Sequence, residues 1–247
     1  GRGDGSLAAY APLALGTAPT SVAACDFDHD AILDLAVASW GITAGSVEIW
    51  LGAGQDGRGD GTFSMMSRLD MAGAVAAVVP VELDRDGRPD LAVVVYGGHE
   101  SSSPEIQLRL GQGDGGFGAP VIIGKDHLTD PVHLVAADFD ADAIVDLAVS
   151  DHDGQVVIFT GNGENGAWDR AGFTHACTVD LTGQFSAGPG QLTELVTGDF
   201  DGDAIGDLAV TSKGDDGSGK VLVMLGNGSN GRGDGTFALH PVVSSYD

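Results

Sequence analysis

Asp26-Phe-Asp28-His-Asp30-Ala-Ile32-Leu-Asp34, followed at once by Leu-Ala-Val, returns three more times along the chain. The second copy reads Glu82-Leu-Asp84-Arg-Asp86-Gly-Arg88-Pro-Asp90 and the third Asp138-Phe-Asp140-Ala-Asp142-Ala-Ile144-Val-Asp146. The fourth is Asp199-Phe-Asp201-Gly-Asp203-Ala-Ile205-Gly-Asp207. The last acid of the string recurs after 56, 56 and 61 residues. A period of this length marks an array of similar supersecondary units, each burying its apolar faces against its neighbours.

Carboxylates at alternate positions of a tight loop converge on one point, which suits a hard dication taking six to eight oxygens at roughly 2.3 to 2.6 Å. Calcium is the expected ion, up to four per chain. Positions one, three, five and nine supply side-chain oxygens, whereas Ile32, Arg88, Ile144 and Ile205 at position seven offer a backbone carbonyl. The spacing matches the first nine positions of an EF-hand loop, but the flanks are strands and no glutamate stands at position twelve. The competing reading, that these acids only make side-chain-to-backbone turns, leaves four clusters of like charge uncompensated. Zinc prefers nitrogen and sulfur, and His29 is the sole such group in the loops. Magnesium demands stricter octahedral geometry. Position six, where a sharp turn favours glycine, holds Ala31, Gly87, Ala143 and Ala204, and only the second loop opens with a glutamate. Unequal sites are therefore expected, with the loop headed by Glu82 the outlier.

The 247 residues suffice for one domain with a substantial core. A formal net charge of −25 makes nucleic acid and anionic membranes poor partners. No apolar run is long enough to span a membrane, and the chain does not open with a basic segment before an apolar one. It reads as a mature chain or an excised fragment. Calcium loops of modest affinity fill where calcium is near millimolar, so an extracellular location, secreted or at the cell surface, is expected. Cys25 and Cys177 are too few for a disulfide framework and read as two small buried residues.

Each unit predicts four strands. A short apolar stretch precedes the loop (Ser21 to Ala24, Val78 to Val81, Leu134 to Ala137, Leu195 to Gly198) and Leu-Ala-Val follows it. A third stretch alternates, as in Val47-Glu-Ile49-Trp-Leu51 and Ile106-Gln-Leu108-Arg-Leu110, which predicts one face more exposed than the other. A glycine-rich connection then leads to Phe63, Phe117, Phe173 or Phe237 and a fourth, weaker strand. With 40 glycines and scarcely any helical periodicity, the fold class is all-β: a β-propeller of four-stranded antiparallel blades. Four blades are expected at 17–72, 73–128, 129–185 and 186–247, in a single domain, with residues 1–16 as an extra outer strand that completes a blade elsewhere or in a neighbouring copy.

Phe117-Gly118-Ala119-Pro120, with the acidic loop and Asp-Leu-Ala-Val, resembles the FG-GAP repeat of integrin alpha-subunit propellers and their bacterial and fungal relatives. The resemblance covers essentially the whole chain. It implies a calcium loop between the first two strands of each blade, an innermost strand lining the axis, a ring usually of seven blades, and recognition as the chief activity. Pro80 fits an edge strand, where a missing N–H is tolerated.

Other signals read as ordinary turns. Gly52-Ala-Gly54-Gln-Asp-Gly57, Gly161-Asn-Gly163-Glu-Asn-Gly166 and Gly226-Asn-Gly228-Ser-Asn-Gly231 match a dinucleotide fingerprint, but none leads into the helix whose N-terminus must hold a pyrophosphate. Arg-Gly-Asp at 2–4, 58–60 and 232–234 always falls in one interstrand connection, as turn chemistry would have it. The seven histidines show no ligand or triad spacing. His29 reads as pointing outward and His152 as part of a polar turn, while Trp50 is expected to cover an adjoining blade. Without a convergent acid, base and nucleophile, the chain reads as no enzyme: a calcium-stabilised binding, adhesion or assembly module for a protein or glycan ligand. A lectin is the first alternative, weakened by 6% aromatic content, and a propeller-based lyase or hydrolase the second.

Overall fold

The computed structural model describes residues 12–15, 18–41, 44–97, 103–164, 166–184, 191–213 and 219–240. Sixteen strands fall into four antiparallel sheets of four. The first contains β1 (Ala18–Cys25), β2 (Asp34–Trp40), β3 (Ser46–Gln55) and β4 (Arg58–Asp70). The second contains β5 (Ala74–Val81), β6 (Asp90–Tyr96), β7 (Glu105–Arg109) and β8 (Val121–Ile123). The third contains β9 (Pro131–Ala137), β10 (Asp146–Asp151), β11 (Gln155–Glu164) and β12 (Ala167–Asp180). The fourth contains β13 (Gln191–Gly198), β14 (Asp207–Lys213), β15 (Gly219–Ser229) and β16 (Arg232–Leu239). Each sheet runs in simple sequence order, the up-and-down arrangement of a propeller blade. Pro80 sits in the edge strand β5.

Successive blades pack face to face, β1 and β2 on β5, β5 on β9, and β9 and β10 on β13. No contact of similar extent joins the fourth blade to the first among the described residues. The blades thus form an open arc with three apolar layers between them. Val47, Ile49, Val78, Leu91 and Val93 fill the first layer, Leu108, Leu134, Leu147 and Phe159 the second, and Ile158, Leu195, Leu208 and Met224 the third.

Two expectations are corrected. In the first two blades the third strand does not have one wet face: Glu48 and Gln107 are only 4% and 5% exposed, because both faces of a blade can lie against something. Their polar ends are satisfied within the sheet, Glu48 by Arg68 at 3.0 Å and by the Trp50 indole at 3.2 Å, and Gln107 by Glu105 and Arg109. Nor is the fourth strand generally weak, since β4 and β12 are the longest in the chain. Tight hairpins extend them: Asp56 and Gly57 both adopt positive φ (53° and 69°), as do Asn230 and Gly231 (56° and 70°), the turn whose twist matches that of its flanking strands. Only β8, reached through a broader loop, is short. The extra N-terminal strand falls mostly outside the described residues, and 12–15 are not in a strand.

Candidate metal centres

Each acidic string connects the first strand of its blade to the second. Its backbone turns left-handed at two places, the fourth and sixth positions. These are His29 and Ala31 (φ 62° and 65°), Arg85 and Gly87 (58° and 81°), Ala141 and Ala143 (60° and 70°), and Gly202 and Ala204 (83° and 67°). The sequence betrays the turn at position six but not the one at position four, where His, Arg and Ala stand in three of the loops. Each non-glycine residue in this region costs on the order of 1 kcal/mol, so other groups must hold the shape. Position five does so in every loop, its carboxylate accepting the N–H of position seven at 2.8 Å (Asp30), 2.8 Å (Asp86), 2.7 Å (Asp142) and 2.8 Å (Asp203). The first aspartate adds a longer bond, from the N–H of position six, in three loops: Asp26 at 2.9 Å, Asp138 at 2.9 Å and Asp199 at 3.1 Å.

The ninth acid works differently. Asp34, Asp90, Asp146 and Asp207 are at most 1% exposed. One oxygen of each accepts the N–H of position two: Phe27, Leu83, Phe139 or Phe200, at 2.7 to 2.8 Å. The other accepts, at 2.8 Å in all four, the N–H of a glycine where the third strand ends: Gly52, Gly111, Gly161 or Gly226. The carboxylate thereby clamps the loop to the third strand. Glycine is required at the far end because a Cβ there would stand only 2.2 to 2.5 Å from the carbonyl of loop position eight. In three loops position seven plugs the space beneath, with Ile32, Ile144 and Ile205 buried. In the second, Arg88 turns outward and pairs with Asp86 at 3.3 Å.

Burial dominates the titration of two of these clamps, Asp146 and Asp90. It pushes Asp146 up to about 7 and Asp90 up to about 6, against the lowering influence of their two N–H donors and with added repulsion from the acids nearby. Asp28, Glu82 and Asp140 are also raised, desolvation first and neighbouring carboxylates after it.

In every loop three carboxylates bring an oxygen within 4.8 Å of one another: Asp26, Asp28 and Asp34; Glu82, Asp84 and Asp86; Asp138, Asp140 and Asp146; Asp199, Asp201 and Asp203. Oxygens at about 2.4 Å from a common centre can be at most about 4.8 Å apart, so each triplet fits one calcium-sized ion. The fourth acid, Asp30, Asp90, Asp142 or Asp207, stands outside its triplet. The donor set is entirely oxygen, and Glu82 Oε1 is buried without a hydrogen-bond partner. An orphaned carboxylate oxygen is costly unless something cationic meets it. The residues present therefore fit calcium.

Neighbouring loops are tied laterally. His29 Nε2 meets the carbonyl of Gly87 at 2.7 Å, and an Arg85 guanidinium nitrogen donates to the carbonyl of Ala143 at 3.0 Å. Position four of one loop thus reaches position six of the next, and His29 does not merely point outward. Ala141, at the same place in the third loop, has no polar group to offer.

Residues 83–149 match the family model of the FG-GAP-like repeat. The chain thus carries one segment that matches that repeat. Among solved structures it is similar to the periplasmic gluconolactonase PpgL of Pseudomonas aeruginosa, at 20% identity and a TM-score of 0.56, over 90% of this chain and 55% of that one. It is also similar to BBS1N, solved in complex with ARL6DN, at 13% identity and a TM-score of 0.48, over 93% of this chain and 55% of that one. The chain spans little more than half the length of the structures it matches. No curated protein matches its sequence. The likeness to PpgL, together with the four four-stranded sheets, shows the fold, a propeller.

The remaining motifs resolve into turns and packing. The Gly-x-Gly of the nucleotide-like strings is the clamp glycine followed by a residue close-packed in the hairpin: a Cβ on Gly54 or Gly228 would lie 2.1 Å from the carbonyl of Arg58 or Arg232. The Arg-Gly-Asp aspartates Asp60 and Asp234 accept the N–H and hydroxyl of Thr62 and Thr236; residues 2–4 lie outside the described ones. Cys25 and Cys177 are unpaired and only half-buried. Trp168, not Trp50, covers an adjoining blade: its side chain is buried in the second apolar layer, its backbone N–H donates to the carbonyl of Leu83 at 3.0 Å, and its indole N–H donates to the carbonyl of Gly172 at 2.9 Å. Trp50 belongs to none of the three apolar layers. Among the described residues no helix is long and apolar enough to cross a membrane.

Proposed function

We propose that the chain is a non-catalytic extracellular recognition and assembly module, whose blades are rigidified by calcium. The observation that carries this reading is the recurrence of an oxygen triplet in the same loop of all four blades, always with positions one and three and completed by position nine in the first and third loops and by position five in the second and fourth. A repeated site that sits at the loop joining two strands, with its acids shared between turn and clamp, serves the scaffold. The ion would be held by Asp26, Asp28 and Asp34, by Glu82, Asp84 and Asp86, by Asp138, Asp140 and Asp146, and by Asp199, Asp201 and Asp203, and when bound it supplies the positive charge that the converging acids lack. The chain's own contribution is to preset the oxygens through the position-five and position-nine hydrogen bonds. What remains exposed is the acidic rim, suited to a protein or glycan ligand rather than to an anion.

The test is a melting curve in millimolar calcium and in excess chelator. At tenfold excess over its dissociation constant each site contributes about 1.4 kcal/mol, so four sites add on the order of 5 kcal/mol and a shift of many degrees. Identical curves would end the calcium reading. A glycan array run beside pull-downs with candidate proteins separates the two ligand classes, and turnover of a panel of lactones and glycosides would overturn the non-catalytic assignment.

A further inference from the structure

The three interblade layers are one interface made three times. Its forward half comes from loop position two and the start of the third strand. Phe27, Leu83 and Phe139 are 2% exposed, and Val47, Ile106 and Val156 are fully buried. Its receiving half comes from the inner and second strands of the next blade, where Val78, Leu134 and Leu195 are at most 2% exposed and Leu91, Leu147 and Leu208 are at 0%. The aromatic rings interlock across it, Phe27 edge-on to Phe117 at 5.7 Å and Phe139 edge-on to Phe237 at 5.3 Å.

At the two ends of the arc the same positions are bare. On the fourth blade the forward half is uncovered, with Phe200 50%, Val221 54% and Val196 52% exposed. On the first blade it is the receiving half, with Val22 64% exposed, Leu35 only partly covered, and Leu33 at the neighbouring loop position eight 63% exposed. Apolar faces of this kind on a soluble protein mark an interaction surface, and here the two faces are the complementary halves of an interface the chain already forms. A face copied from an internal interface is best filled by the other half of that interface, and the chain carries both.

We propose that a second copy of this chain covers them, the first blade of each copy seated on the fourth blade of the other, so that two open arcs close one ring. The span fits: four blades cover 55% of the PpgL propeller chain, leaving room for about one more such arc. Contact between unlike faces gives rings when the rotation closes and filaments when it does not. A net charge of −25 on each copy opposes the contact, so association strengthens with ionic strength, as screening predicts.

Sedimentation velocity at about 0.15 M salt and tens of micromolar protein tests this. The expected species has twice the 24.9 kDa chain mass. Phe200→Asp alone and Val22→Asp alone should each weaken the dimer about a hundredfold or more, because every interface in such a ring then carries one charged face. An equimolar mixture of the two variants should recover a dimer, since an intact first blade of one meets an intact fourth blade of the other. That recovery also shows both variants to be folded. A wild-type monomer, a Val22→Asp protein that dimerises like wild type, or a mixture that stays monomeric would each overturn the proposal.

Discussion

The alanines at loop position six sit where glycine would be relaxed. Ala143 holds φ 70° and Gly87, at the same place in the second loop, holds 81°. A Cβ on Gly87 would meet nothing within 4 Å, so Gly87→Ala isolates the backbone cost and should destabilise by about 1 kcal/mol in urea titrations. Ala143→Gly should stabilise by about 0.5 to 1 kcal/mol, the relief of strain exceeding the added freedom of the unfolded chain. At position nine, Asp146→Asn leaves one acceptor for two N–H donors, Gly161 and Phe139, and should cost about 2 to 3 kcal/mol. That loss should appear in chelator as well as in calcium. Asp140→Asn, which alters a member of the oxygen triplet but not the clamp, should instead blunt the response to calcium, read as the melting shift on adding the ion.

Among elements, the lateral bonds between loops make the order of the blades matter. Arg85 reaches from the second loop to the third and His29 from the first to the second. Arg85→Ala should cost under about 1 kcal/mol in itself, as expected for an exposed bond. It should also uncouple the two loops it joins, so that a double-mutant cycle between Arg85→Ala and Asp140→Asn gives a coupling of about 0.5 kcal/mol or more. The matching cycle with Asp201→Asn should give none, because Ala141 leaves the fourth loop without such a bond. Much of this level was legible beforehand: the recurring Leu-Ala-Val and the alternating stretches located the strands, and the glycine-rich connection placed the hairpins. The third strand misled because alternation reads as one wet face, whereas a blade has neighbours on both sides and satisfies Glu48 and Gln107 within its own sheet.

For the whole molecule, pH acts through two buried carboxylates, of which Asp146 also belongs to an oxygen triplet and Asp90 does not. Asp146 and Asp90 titrate at about 7 and about 6 in the fold, against 3.8 ordinarily. The native state therefore binds protons that the unfolded chain has already released, and without a cation stability falls as pH rises from about 4 to 7. The chelated protein should melt lower at pH 7.5 than at pH 5, a trend that the overall negative charge reinforces. In calcium the ionised form of Asp146, a member of its triplet, is the one that is held, so the slope should flatten. A chelated protein that melts higher at pH 7.5 than at pH 5 would show that these clamps stay ionised throughout.

The repeat determined by itself the number of units, their all-β character, the address of the acids and the glycines beside them. Each of those follows from local rules: period two for strands, alternate acids for a tight oxygen-lined loop, Asn-Gly and Asp-Gly for hairpins. The sequence could not divide labour among the acids, because sixteen carboxylates look alike until the fold buries Asp34, Asp90, Asp146 and Asp207 and leaves the others at the rim. Nor could it show that the left-handed turn occurs twice per loop, since hydrogen bonds from the loop's own N–H groups hold His29, Arg85 and Ala141 where composition gives no hint. Only the tertiary structure decided which apolar residues are covered. Val22 and Val78 occupy equivalent places in their repeats, one 64% and the other 2% exposed, and the difference is that among the described residues the second blade has a neighbour on that side and the first does not.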